Sequence, residues 1–86
     1  MKIIFHKSFL KSYGKLRSGE QKRFDKCQAL FLQDPLSASL NNHPLKGKYD
    51  NCRSINIGGD LRAIFKMLDE DTAIFMDIDT HPNLYE

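Results

Sequence analysis

Apolar and polar residues alternate with a period of two along residues 52–57, 61–68 and 72–79, and with a period of three to four along much of residues 9–33. The first pattern predicts half-buried strands and the second predicts amphipathic helices. Gly58, Gly59 and Asp60 break the first strand run from the second, and Asp69, Glu70 and Asp71 break the second from the third. Turn residues at that spacing, between β-branched and aromatic runs, predict an antiparallel meander. On a pleated strand every second side chain shares a face. The expected core face is therefore Ile55 and Ile57, then Leu61, Ala63, Phe65 and Met67, then Ile74, Met76 and Ile78. Ser54, Asn56, Arg62, Lys66, Asp77 and Asp79 fall on the opposite face, padded by Ile64 and Phe75.

The segment before the meander supplies what covers it. Residues 2–5 have strand composition and need a later strand to pair with; His6 ends the run. Ser8 is placed to cap a short helix that buries Phe9, Leu10, Tyr13 and Leu16 and leaves Lys7, Lys11 and Lys15 in water, with Gly14 weakening its last turn. A second helix is expected from Ser18, with Gln21 as its capping-box partner, to about Gln33, burying Phe24, Cys27, Leu30 and Phe31. Asp34 and Pro35 stop it. A helical hairpin with one apolar side needs a sheet to lie on. The expected fold is α+β: an N-terminal strand, then a two-helix hairpin on one face of a four-stranded, mainly antiparallel sheet, in the order β-α-α-β-β-β. Residues 33–51 carry no strand pattern, although Leu36 and Leu40 can share a helical turn; a connection that long is usually functional or anchored by packing.

Composition narrows the function classes. Eighty-six residues make one domain with one modest core. No apolar run approaches the roughly 18 residues of a membrane span, and the first residues are too short for a secretory leader, so a cytoplasmic protein with no membrane association is expected. Cys27 and Cys52 lack the spacing of a metal site and read as buried thiols of a reducing cytosol. Net charge is only +2, but residues 1–48 hold ten Lys and Arg against three Asp and Glu, whereas residues 49–86 hold three against eight. A basic helical half suits phosphate or an acidic protein partner, while the strand half favours RNA only where Arg53, Arg62 and Lys66 prevail locally.

Several residues carry the chemistry that remains: the run His43, Pro44, Leu45, Lys46, Gly47; then Arg53; then Asp60, Leu61, Arg62 leading into Phe65 and Lys66; then Thr80, His81, Leu84 and Tyr85. In order and spacing, over about half the chain, this pattern resembles the RelE/ParE superfamily of bacterial toxins, and within it the YafQ-like branch. The resemblance implies a RelE-like fold and the toxin of a type II toxin–antitoxin system. Such a toxin is a ribosome-dependent mRNA endonuclease whose partners are a cognate antitoxin, with a heterotetramer as one form of that complex, and the ribosome with its mRNA. Carried over residue by residue, the resemblance implies acid–base roles for His43 and His81, an acidic helper in Asp60 and a phosphate-stabilising cation in Arg62. Lys46, Arg53, Asn56, Lys66 and Tyr85 are the expected substrate contacts. Asn56 stands where the branch carries another histidine, and Asp77 where the family usually has an arginine.

The chemistry can be stated without the family. Cutting RNA with its own 2′-hydroxyl needs a base at that hydroxyl, a cation at the developing phosphorane and an acid at the leaving oxygen; it needs no metal or other cofactor. Histidine suits both proton transfers because its ordinary pKa of about 6.5 lies near working pH. Each residue also has a plain structural reading. His43 can bond its own loop, His81 can end the strand, Arg62 can pair with Asp77 or Asp79, Asp60 can simply form a turn, and Tyr85 can plug a gap. Two other functions fit the same fold: an antitoxin-binding module with little nuclease activity, and a ParE-type toxin acting on DNA gyrase.

Overall fold

The computed structural model describes residues 1–85. Strand β1 (Lys2–Phe5) leads into helices α1 (Lys7–Gly14) and α2 (Ser18–Gln33); a long connection carries the two-residue strand β2 (His43–Pro44); β3 (Arg53–Gly58), β4 (Leu61–Asp69) and β5 (Thr72–Thr80) form the meander, and a single turn of helix, α3 (His81–Leu84), follows. The sheet order is β1-β5-β4-β3-β2, with β1 parallel to β5 and every other pairing antiparallel. The α+β class and the meander are as expected. The sheet has five strands rather than four, because His43 and Pro44 pair with Ser54 and Arg53 at the edge of β3.

The helix caps differ from expectation. The His6 ring, rather than Ser8, caps α1: its Nδ1 accepts the Ser8 backbone N–H at 3.0 Å. At α2 the Glu20 carboxylate accepts the Arg17 backbone N–H at 3.0 Å, while Gln21 uses its amide to donate to the Tyr13 carbonyl and tie the hairpin together. Leu10 is exposed rather than buried, because α1 is turned so that Phe9 faces the sheet.

The core lies between the helices and one face of the sheet: Phe9, Phe24, Phe31 and Leu40 against Ile55, Ile57, Leu61, Ala63, Phe65, Ala73, Phe75 and Ile78. The expected alternation fails in β5. Phe65 pairs with Phe75 and Ile64 with Asp77, so Met76 is an extra residue without an opposite number. This bulge shifts the phase by one residue. Ala73 and Phe75 therefore point into the core in place of Ile74 and Met76, while Ile78, beyond the bulge, remains buried as expected. Phe75 is not padding on the open face. Its ring centroid lies 5.4–6.1 Å from those of Phe5, Phe9, Phe24, Phe31 and Phe65, and each such pair adds about 0.5–1.5 kcal/mol beyond the area it buries. Met67, expected in the core, is 37% exposed near the far end of β4.

The long connection is pinned, as its length suggested. Leu40 is buried in a short 3-10 turn while Leu36 is 74% exposed, so only one of the two leucines anchors it. The Arg53 side chain donates to Asn42 Oδ1 at 2.6 Å, and the Asn42 amide donates to the Pro35 carbonyl at 2.9 Å. Both cysteines are free thiols and half-buried; burial pushes the Cys27 thiol above its ordinary pKa, against a smaller lowering by Arg23. No helix among the described residues is long and apolar enough to cross a membrane.

Candidate functional site

The face of the sheet away from the helices holds the candidate residues. Strand pairing sets them in cross-strand rows: His43, Ser54 and Ile64 in one, Asn56, Arg62 and Asp79 in the next, and Lys66 opposite Ile74 in a third. Part of this face is closed by α3, whose Leu84 is buried apart from the main core, as is Ile64.

At the β3–β4 turn the backbone brings four candidates together. The His81 N–H donates to the Asp60 carbonyl at 2.7 Å, which fixes the start of α3 against the turn. The His81 ring lies 4.7 Å from the Tyr85 ring, one helical turn later, at an interplanar angle of 64°. Leu61, between Asp60 and Arg62, pairs with Thr80, the residue before His81. The Arg62 guanidinium donates to the carbonyls of Gly59 at 2.7 Å and Leu61 at 3.1 Å. These bonds run to turn carbonyls and leave its full positive charge at the edge of the site.

The two acids that threatened to pair with Arg62 are bonded elsewhere. Asp79 Oδ1 accepts the Thr80 N–H at 2.7 Å and the Asn83 amide at 3.2 Å. Asp77 Oδ1 accepts the Ser12 hydroxyl at 2.7 Å and the Ile78 N–H at 2.8 Å. The bulge at Met76 thus turns the Asp77 carboxylate to α1. The anion standing where the resembling family has an arginine is bonded to the helical layer.

His43 belongs to a second group, with Arg53, at the β2 edge. Its Nδ1 lies 2.8 Å from the Asn41 carbonyl. A carbonyl only accepts, so Nδ1 is the donor in this bond, which suits the tautomer whose lone pair lies on Nε2. Along the rows, His43 stands two strands from Ile64, while Thr80 stands on the far side of β4, opposite Leu61. With strands about 4.8 Å apart and a rise of about 3.3 Å per residue, the backbones of His43 and Thr80 are roughly 17 Å apart. His43 and His81 therefore approach one substrate only by both reaching inward over the face.

The remaining expected contacts are spread along the sheet. Lys66 is exposed and Asn56 half-buried. The side-chain oxygens of Ser54 and Asn56 are buried without a hydrogen-bond partner. Lys46 lines a cleft of about 220 Å³ with Lys48, Tyr49, Leu84 and Tyr85. Tyr49 and Lys48 entered no expectation; the only hint in the sequence is a basic, aromatic stretch around Gly47. Among the described residues, no three His, Cys, Asp or Glu side chains are gathered so as to hold a metal ion.

Comparison with known proteins joins this arrangement to a family. No curated protein sequence matches the chain. A crystal structure of YafQ from Escherichia coli strain BL21(DE3) superposes with a TM-score of 0.83 over 99% of this chain and 98% of that one, at 19% identity. YafQ in the E. coli DinJ-YafQ toxin-antitoxin complex gives 0.80 at 19% identity, covering 99% and 97%. An archaeal RelE-RelB complex from Pyrococcus horikoshii OT3 gives 0.74 at 17% identity, covering 93% of each chain. These likenesses establish the RelE-like fold. The family model described as a bacterial toxin of type II toxin-antitoxin system, YafQ, matches residues 1–86, and the chain accordingly belongs to the YafQ toxin family.

Proposed function

We propose that this toxin is an endoribonuclease that cuts mRNA on the ribosome by transesterification. The observation that carries the reading is the grouping of Asp60, Arg62, His81 and Tyr85 at one turn of the open face, brought about by the His81 N–H bond to Asp60 and the His81–Tyr85 ring contact. In the reaction the 2′-hydroxyl loses its proton and attacks the adjacent phosphorus, the bond to the 5′-oxygen breaks, and that oxygen takes up a proton. The products are a 2′,3′-cyclic phosphate and a 5′-hydroxyl. His43, with its lone pair on Nε2, suits the base; His81, exposed beside the Arg62 cation, suits the acid. Arg62 balances the charge of the phosphorane, and Asp60 orients His81. Lys46, Arg53, Asn56, Lys66 and Tyr85 hold the strand. The cytoplasm is the compartment in which such a substrate is met.

An antitoxin is the second partner. The E. coli and Pyrococcus relatives are seen with DinJ and RelB, respectively. The basic excess of residues 1–48 is the feature here that would receive an acidic antitoxin segment, and a heterotetramer is the assembly proposed.

The estimated spacing of His43 and His81 favours one other reading, an antitoxin-binding module with little cleavage. Primer extension on mRNA in a translating extract separates the two. New 5′ ends that appear with the wild type and vanish with His81→Ala support the nuclease, whereas intact message with both supports the binding module.

A further inference from the structure

Residues 45–52 form a closed loop. The Leu45 N–H donates to the Cys52 carbonyl at 3.0 Å across its base, and inside it Asp50 N–H bonds the Gly47 carbonyl and Cys52 N–H the Tyr49 carbonyl, at 3.0 and 2.9 Å. Gly47 sits at φ +64°, a conformation glycine adopts without strain. The loop holds Lys46, Lys48 and Tyr49 on a fixed backbone while leaving the Tyr49 ring half-exposed and both lysines in solvent. The Tyr49 ring takes no part in the core. Its neighbours are Tyr85, edge-on with centroids 6.3 Å apart and an interplanar angle of 89°, and the Lys48 ammonium, 5.2 Å from its centroid.

Tyr85 in turn touches His81. Three rings therefore run from the candidate acid to a pair of lysines, along a cleft that opens to solvent. A cation over a ring marks an accessible, electron-rich face, and an aromatic face beside basic side chains is the arrangement that binds single-stranded nucleic acid, with bases on the ring and phosphates on the cations.

We infer that Tyr49 is a base-stacking residue for single-stranded RNA, receiving the nucleotide next to the one at His81, with Lys46 and Lys48 on the flanking phosphates. Lys48 leaves the ring face as the base arrives and moves to the phosphate. The inference rests on the reading of this face as an RNA surface, but it concerns binding and not cutting. Stacking tolerates any base, so the subsite contributes affinity and register more than sequence choice.

The test is fluorescence anisotropy with a labelled 2′-O-methyl oligoribonucleotide, which cannot be cut through its 2′ position, on the full chain at low salt. Removal of one stacked base costs about 1–3 kcal/mol, so Tyr49→Ala should weaken binding by roughly 5- to 150-fold, while Tyr49→Phe binds as the wild type. Tyr49→Ala should leave the salt dependence unchanged, and Lys48→Gln should reduce its slope by about 0.7. The chain has no tryptophan and only three tyrosines, so wild-type tyrosine emission should fall on binding and fall less in Tyr49→Ala. A thermal melt of each variant checks the fold. Binding by Tyr49→Ala equal to wild type, or no binding by the wild type, overturns the inference. Tyr49-dependent binding with intact mRNA in the translating extract leaves it standing and removes the nuclease reading instead.

Discussion

The two faces of the sheet are assembled by opposite rules. Against the helices, five phenylalanine rings surround Phe75 and no polar side chain is enclosed among them. On the open face the side-chain oxygens of Ser54 and Asn56 are buried unpaired, an arginine is bonded to turn carbonyls, and imidazole and phenol rings lie in solvent. Stability therefore resides on one face and the candidate site on the other, and substitutions on the two should separate cleanly.

The largest expected effect is on activity. His81→Ala should reduce mRNA cleavage by about 10²- to 10⁴-fold, the range for one general acid, with the urea midpoint nearly unchanged because the ring is exposed. A large loss of stability in this variant would mean that the open face also holds the fold together. Phe75→Ala should do the reverse, costing about 3–5 kcal/mol of unfolding free energy, measured by urea denaturation. Gly58→Ala probes the seam between the faces. Gly58 lies at φ +153°, and an added Cβ would come within 2.8 Å of the Arg23 guanidinium and 3.1 Å of its Cδ. Backbone strain in that region costs about 1–3 kcal/mol; Arg23→Ala in the same chain should recover the steric part only.

The smallest effect lies farthest from both faces, at the β4–β5 turn. Asp69 accepts the Asp71 N–H at 2.8 Å, and this bond, followed by one with Thr72, holds its carboxyl below the ordinary 3.8. Because the folded value is depressed, the contribution is fully present above pH 3.8 and is lost as pH falls below 3.8 through the lower folded value. Asp69→Asn should slightly flatten the acid limb of a stability-against-pH curve, by lowering stability a little at neutral pH and leaving the acid end, where the wild-type carboxyl is protonated, unchanged. An acid limb identical to wild type would show that the turn bond contributes nothing.

Much of this division was legible in the chain. The meander could be read because Gly58, Gly59 and Asp60 and the run Asp69 to Asp71 mark its turns, and the helices because Phe24, Cys27 and Phe31 recur at helical spacing. The bulge could not: Met76 fits either face, and one inserted residue leaves no mark in composition, yet it sends Phe75 inward and carries Asp77 to Ser12. Strand β2 is too short to show a period, and its pairing depends on where β3 lies. For the candidate site, the sequence names residues but not which of them fall together. His81 meets Asp60 through register and a returning helical turn, whereas His43 is held at another edge by the chain's crossing of the sheet. Tyr49 gave no periodic signal, because a closed loop presents side chains by its own hydrogen bonds.

Strand β1 has a consequence for when the molecule becomes a toxin at all. Lys2 to Phe5 pair in parallel with Thr72 to Phe75, so β1 finds its place only beside a segment synthesised much later. Pairings this distant in sequence are slow to close and leave intermediates exposed. A chain still being made lacks Phe75 and has no centre around which its helices can settle. The chain should therefore reach its folded, toxic form only after Phe75 has been made, a delay during which a waiting antitoxin can bind first.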